Sequence, residues 1–365
     1  MRLNASCGRR RQRGVAVITA LLLTTLAVTI VASLFWQQQV QVRSIENQRT
    51  QLQKQWILRG ALDWAKLILK SSGDNSQTDT LSDPWAIPLQ EVRLDDFVEN
   101  GKQDGETSSA VLSGNIVDAH SLFNLNNLIR GGTLSAPDVL AFTKLLESVR
   151  VPAAATLAQA TAAYLVSARG VPAAPAAGTN PAVPVNLQGS APVGNPAGDK
   201  AATVTPTKGA PGGAASDSSA KMMTLTQVND LLAVDGFTLD ALAKVRDFVT
   251  IIDGSGTNIN VNTASATVLS AVIPGLSPGE AAALVAGRER SSFKDMADFQ
   301  SHLPSTVTNP SGVGATPVLS GLDVKSEHFL VNGKVKLNNA VLEIQSMVGR
   351  NSHGGTVKPI WTREN

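Results

Sequence analysis

The sequence predicts an α+β protein in which a long N-terminal helix lies on an antiparallel sheet, and a large all-α domain is inserted into that sheet. Three observations carry this. Neither proline nor glycine occurs from Val15 to Arg59, so one helix can run unbroken through that length. Short strand-like segments appear before residue 130 and again after residue 316. Between them, helix-start signals recur where strand signals do not.

The composition sets outer limits. The chain has 365 residues, of which 43% are hydrophobic, enough for a packed core. Its one cysteine, Cys7, excludes a disulfide framework and any multi-cysteine zinc site. Arg2, Arg9, Arg10, Arg11 and Arg13 crowd the first fourteen residues, where no acid occurs. The remainder holds 26 basic against 29 acidic residues, the wrong balance for a nucleic-acid-binding body.

No charge occurs between Arg13 and Arg43, and within residues 15–36 the polar side chains are Thr19, Thr24, Thr25, Thr29 and Ser33. These hydroxyls can return to helix carbonyls, and such a segment spans roughly 33 Å, enough for a bilayer core. The arginines place the N-terminus in the cytoplasm and Trp36 at the far interface. A cleaved secretory signal would need a shorter apolar region, although Ile30-Val31-Ala32 could serve as its cleavage site. A plain signal anchor is the second reading. The third rests on Arg-Gln-Arg-Gly14 meeting the apolar run directly at Val15. That arrangement resembles the class III signal peptides of type IV pilins and type II secretion pseudopilins. The resemblance implies a leader at residues 1–14, cut by prepilin peptidase between Gly14 and Val15, with methylation of the new Val15 amine. The fifth mature position is Thr19, where most pilin-like proteins carry glutamate. The general secretion pathway protein K family, a class of minor pseudopilins, characteristically lacks that acid.

After the membrane segment (15–36), residues 37–70 read as an amphipathic extension of the same helix. Val42, Ile45, Leu52, Trp56 and Leu62 roughly share one face, and Gly60 is expected where that helix packs closely on a sheet. Ser71-Ser72-Gly73-Asp74-Asn75 ends the helix. Residues 71–130 form the first part of the sheet domain. Within them, Phe123 and Leu125 alternate with Asn124 and Asn126, predicting a half-buried strand closed by an asparagine turn. The surrounding stretch, Ile-Val-Asp-Ala-His-Ser-Leu-Phe-Asn-Leu-Asn-Asn at 116–127, again resembles the K family.

Residues 131–315 read as the helical insertion. Ser135-Ala-Pro137-Asp138 opens one helix, with Val139, Phe142, Leu145, Leu146 and Val149 on one side. An alanine-rich helix follows to about Ala168. Residues 171–220 hold eight prolines and no aromatic, the composition of a flexible loop. The Asp-Trp helix end and Tyr-rich segment usual in the family are missing here. Thr224-Leu-Thr-Gln227 reads as a capping box before Val228, Leu231 and Leu232, and a helix is expected over 239–249. Asn258-Ile-Asn-Val-Asn-Thr-Ala264 leads into a helix capped by Thr263. Pro274-Gly275-Leu276 turns the chain, and Ser277-Pro278-Gly279-Glu280 caps a helix through Arg290, with Phe293 and Phe299 behind it. This block closely resembles the K family's helical insertion. Residues 316–365 return to the sheet with strands at 327–337, 340–349 and 356–362, and Asn332-Gly333 carries a hairpin-turn signal.

Candidate chemistry is sparse. Residues 259–299 also resemble helix-hairpin-helix DNA-binding modules, but the second hairpin glycine is Ser277. Arg288, Arg290 and Lys294 face Glu280, Glu289, Asp295 and Asp298, so there is no basic surplus to hold phosphate. Asp253-Gly-Ser-Gly-Thr-Asn258 resembles a calcium loop without its glutamate, Ala264 standing in that place, and reads better as a surface turn. His120, His302, His328 and His353 are isolated in sequence, without paired-ligand spacing. No nucleophile elbow, P-loop or dinucleotide fingerprint occurs, so the chain is not expected to be an enzyme and no cofactor is expected; calcium is not predicted.

Taken together the chain is identified as a member of the K family. The resemblance implies a pilin-like fold with a SAM-like, helix-hairpin-helix-type insertion. It implies a single-pass inner-membrane protein with its C-terminal domain in the periplasm. It further implies assembly with I- and J-type, and H-type, minor pseudopilins to initiate and cap the pseudopilus, acting with the inner-membrane secretion platform. The runner-up is a single-pass periplasmic DNA receptor of the competence type.

Overall fold

Helix α1 (Arg13–Asn75) is 63 residues long, about 95 Å at 1.5 Å per residue, and ends at the expected Ser-Ser-Gly-Asp-Asn signal. The computed structural model describes residues 13–94, 110–170, 223–254, 256–308, 319–337, 340–351 and 355–364. The loop expected at 171–220 lies outside the described residues, as does His353.

After α1 come β1 (Leu89–Arg93) and β2 (Ala110–Asp118). The chain then leaves the sheet through the short pieces β3 (Phe123–Asn124), β4 (Ile129–Arg130) and β5 (Thr133–Leu134). Helices α2 (Ala136–Ser148), α3 (Ala154–Arg169) and α4 (Leu239–Val245) follow, then β6 (Val249–Thr250) and β7 (Ile259–Asn260). Helices α5 (Ala266–Val272), α6 (Pro278–Arg288), α7 (Met296–Ser301) and α8 (Ser305–Thr308) complete the helical part, and β8 (Leu322–Asp323) leads out of it. The main sheet resumes with β9 (His328–Leu337), β10 (Ala340–Arg350) and β11 (Val357–Glu364). Its order is β1-β2-β9-β10-β11, antiparallel throughout, so the helical part enters at the end of β2 and exits before β9.

Two apolar cores result. On one face of the sheet, Leu58, Ala65 and Leu69 of α1 bury against Phe329, Val331, Val335, Ile344 and Val348, with Trp85 edge-on to Phe329 at 5.2 Å. The other core lies within the insertion, where Phe123 stacks on Phe142 and Phe293 meets Phe299 edge-on. Alternation along β9 and β10 sends Leu330 and Met347 to the opposite sheet face, where they meet Ile252 and Ala119 of the insertion. The sheet is therefore covered by α1 on one side and touched by the helical part on the other.

Several local expectations are corrected. The face of α1 expected to be covered is mostly not: Val42, Ile45, Leu52 and Trp56 are exposed, and Leu62 alone of that set is half-buried. Sheet contact starts only near Lys54, which is buried, and Gln55, which donates to Glu364 of β11, so Val42 and Ile45 have no sheet to lie on. Gly60 faces open space; the close approach is made from the sheet, where a Cβ on Gly333 would meet Leu58 Cδ2 at 3.2 Å. Asn332-Gly333 is accordingly no turn but the middle of β9, opposite Asn115 and Gly114 of β2. Phe123–Asn124 is a two-residue parallel bridge to β6, followed by a 3-10 turn over Leu125–Leu128, and both its apolar and asparagine side chains are buried. The capping box expected at Thr224 lies three residues on, between Gln227 and Asp230, and opens a 3-10 turn. Helix α4 stops at Val245 because Val249 joins β6. Ser265, not Thr263, caps α5. The Ser277–Glu280 box with Pro278 is as expected, although α6 ends at Arg288 rather than Arg290.

Candidate functional site: the apolar helix and the polar junction

The first region is the projecting part of α1. Gly14 and Val15 lie within its first turn, and side chains from Val15 through Gln39 are exposed. Helix geometry alone satisfies the threonines of this segment. The Thr19 hydroxyl lies 3.1 Å from both the Val15 and Ala16 carbonyls, and Thr24, Thr25 and Thr29 donate to the carbonyls three residues back. What remains outward is a sleeve of Val, Leu, Ile and Phe without a partner in this chain.

The second region joins the insertion to the sheet domain. Asp118, at the end of β2, is buried and accepts four hydrogen bonds: from Thr263 Oγ1 at 2.5 Å, Ser326 Oγ at 2.6 Å, Asn260 Nδ2 at 3.1 Å and the His120 amide at 2.8 Å. Asn260 also donates to the Asp79 carbonyl and to Ser326 Oγ. Beside them Arg350 spans the Asp79 carboxylate, the Ser326 carbonyl and the Leu69 carbonyl at the end of α1. Burial pushes both carboxyl groups up, against the pull of Arg350 on Asp79 and of the hydroxyl donors on Asp118. Five chain segments thus converge on two buried acids. The cluster is buried, and it ties the insertion to the sheet.

Against it lies an imidazole pair. His120 and His328 stack with centroids 5.3 Å apart, and His120 Nε2 is 3.1 Å from His328 Nδ1. His120 Nδ1 lies 2.8 Å from the Asn258 carbonyl, which can only accept, so Nδ1 carries the proton and Nε2 accepts from His328. Burial lowers the pKa of His120, and burial with the neighbouring ring lowers that of His328 to about 4. These two histidines, isolated in sequence, are therefore paired in space.

The loop with calcium-like spacing is organised by asparagines instead of by a carboxylate cage. Asn124 brackets the Ile252 amide and carbonyl, and Asn127 brackets those of Thr257. Gly254 and Gly256 take positive φ, of +123° and +86°, and no cluster of three or more His, Cys, Asp or Glu side chains occurs among the described residues. In the helix-hairpin-helix-like block, Gly275 turns the chain between α5 and α6 at φ +83°. Arg288 is buried and donates to the Val261 carbonyl at 2.6 Å, and burial lowers its pKa to about 10. One of that block's three cations is thus committed to the fold and turned away from any ligand.

Sequence reasoning singled out Gly14, Val15 and Thr19, which lie on the projecting helix, and did not single out Asp118, Arg350 or the histidine pair. Asp118 does lie in the motif-bearing 116–127 stretch, which is the one local signal that could have pointed to it.

Comparison with known proteins gives a family match that takes in Asn260 and Thr263 of the junction. Residues 259–324, from β7 through Val324, match the family model for type II secretion system protein K. Over 355 residues the chain is 27% identical to the type II secretion system protein K of Pseudomonas aeruginosa, covering 95% of this chain and 91% of that one. The fold is similar to a chain in the crystal structure of the GspK-GspI-GspJ complex from the type 2 secretion system of enterotoxigenic Escherichia coli. That likeness has a TM-score of 0.61 at 17% identity, over 88% of this chain and 98% of that chain.

Proposed function

We propose that this chain is a member of the type II secretion system protein K family and that its role as a minor pseudopilin is to initiate and cap the pseudopilus tip. The observation that carries the tip reading is the division of α1. Its first part projects an apolar sleeve, while its last part is covered by a sheet that also bears a large helical insertion. The sleeve suits first a bilayer and then the helices of neighbouring subunits. The insertion, locked through Asp118 and Arg350, adds bulk that opposes stacking of a further subunit above it.

On this reading residues 15–36 anchor the protein in the inner membrane, with the N-terminus cytoplasmic and the folded domain periplasmic. Prepilin peptidase cuts between Gly14 and Val15, and the Val15 amine is methylated. The partners are I- and J-type, with H-type, minor pseudopilins, the pseudopilus and the inner-membrane platform; the similar solved chain comes from a GspK-GspI-GspJ complex. The insertion is of SAM-like, helix-hairpin-helix type, a reading supported by the α5–turn–α6 pairing. It serves as structure and not as a DNA site, since Arg288 is spent internally. No catalytic step, cofactor or calcium ion enters this role.

The test has two arms. Gly14→Val should leave full-length protein by mass spectrometry, and a mature N-terminus at Ser33 would favour an ordinary signal peptide. Labelled protein should appear at filament ends, and regular labelling along the shaft would refute the cap.

A further inference from the structure

Where the insertion meets the sheet face opposite α1, a cleft of 260 Å³ opens. Two arginines line it, Arg246 just after α4 and Arg363 on β11, together with Gln227, Asn229, Gln345 and Trp361. No aspartate or glutamate among the described residues does. Two nearby acids are engaged elsewhere. The Asp230 carboxylate accepts from the amides of Thr226 and Gln227 as a cap. Strand alternation turns Glu364 to the other sheet face, where it accepts from Gln55 of α1. Asp247 lies 3.9 Å from Arg246, but these side chains are 81% and 65% exposed, so water screens the pair.

Arg363 is held in place by neutral groups. Its guanidinium stacks on Trp361 at 4.1 Å, its Nη2 donates to the Thr226 carbonyl at 2.9 Å, and its Nη1 is 3.4 Å from Gln227 Oε1. A planar donor fork fixed by an indole and a carbonyl has its conformational cost already met before an anion arrives. A second guanidinium in the same cleft adds charge, and the side-chain amides add neutral donors.

We propose that this cleft binds carboxylate groups on a peptide chain, with Arg363 as the fixed anchor and Arg246 as the mobile second contact. Planar carboxylates match planar guanidinium forks, and the excess positive charge selects acidic segments over neutral ones. Carboxylate binding here is independent of where the chain sits in a filament, so either reading can fail without the other.

The test titrates the full-length protein in detergent micelles with C-terminally amidated tetraglutamate, followed by calorimetry. Parallel titrations use amidated tetraglutamine, tetraglutamine with a free C-terminus, and inorganic phosphate. Tetraglutamate should bind, with an affinity that falls as salt is added, and Arg246→Gln and Arg363→Gln should each weaken it about tenfold. Arg290→Gln, in the insertion but outside the cleft, should change nothing. Binding of the free-C-terminus peptide alone, lost in the same variants, would assign the cleft to chain-terminal carboxylates within the same proposal. If Arg363→Gln lowers the melting temperature, Arg246→Gln decides alone, since its side chain braces no other segment. Equal binding of amidated glutamine and glutamate peptides would overturn the proposal. So would binding unchanged by Arg246→Gln, no binding of any carboxylate peptide, or tighter binding of phosphate.

Discussion

Arg350, the last residue of β10, places Nη2 2.6 Å and 2.5 Å from the two carboxylate oxygens of Asp79, which lies just beyond the end of α1. Both side chains are almost wholly buried, and Arg350 also reaches the last turns of α1 through the Leu69 carbonyl. This contact clamps the helix that carries the apolar sleeve to the sheet that carries the insertion.

Removing one partner strands the other. Arg350→Met should destabilise the folded domain by about 3–5 kcal/mol in urea denaturation, because Asp79 is then buried without its counter-charge. Adding Asp79→Leu should recover most of that loss. If the double variant is as unstable as the single one, the pair holds the fold through its hydrogen bonds to Ser326 and Leu69 and not through charge.

The histidine pair makes stability depend on pH in a stated direction. Both pKa values are lowered in the folded protein, His328 to about 4, so the unfolded chain takes up protons first as pH falls below 6.5. Stability from the neutral pair is therefore full above about pH 6.5 and is lost progressively toward about pH 4, by roughly 1–3 kcal/mol after allowing for partial exposure. Asp79 and Asp118, with raised pKa values, act in the opposite sense: each favours the folded state at low pH and loses that contribution as pH rises through its folded pKa. The informative quantity is the difference between wild type and His328→Asn across pH 4–7. A difference that does not vary with pH would show that the pair does not titrate with folding.

Three glycines should respond differently to alanine. A Cβ on Gly114 would lie 2.5 Å from the Asn332 carbonyl oxygen, which is backbone and cannot swing aside, so Gly114→Ala should cost about 3 kcal/mol. At Gly333 the obstacles are side chains of Leu58 and Ile344 at 3.2 and 3.3 Å, and the cost should be nearer 1 kcal/mol. Gly60 meets nothing within 4 Å, so Gly60→Ala should stabilise α1 by about 1 kcal/mol. Thermal melts of the three variants check the order, and a destabilised Gly60→Ala would show that this face of α1 is covered in solution.

Thr19 closes its own hydrogen bond on the turn before it, and needs no partner in hydrocarbon. An unpaired carboxylate at that depth costs roughly 3 kcal/mol or more. On the proposed tip-first role, this subunit meets no earlier N-terminal amine for an acid to neutralise. Thr19→Val should therefore preserve secretion, and Thr19→Glu should not improve it. Loss of secretion in Thr19→Val at normal processing and protein level would reveal a specific partner for the hydroxyl and remove the tip-first explanation.

Elements whose cause is local were legible in the sequence. An uninterrupted apolar run makes a helix wherever it sits, Ser-Ser-Gly-Asp-Asn stops it, the Ser277–Glu280 box starts α6, and alternation makes the C-terminal strands. The Thr19 hydroxyl bond was legible for the same reason, since its acceptor lies one turn away. Tertiary packing set which face of α1 is covered, because that depends on where the sheet begins and not on the helix's own periodicity. It turned Asn332-Gly333 from a turn signal into mid-strand, because the β2 backbone and Leu58 need the space a side chain would fill. It took Thr263 from helix cap to Asp118 ligand and made a pair of His120 and His328, residues 208 positions apart. Side chains so distant in sequence share no local signal. Their meeting is set by the path of the insertion out of β2 and back into β9, and the buried charges at that crossing hold only because both ends of the path arrive together.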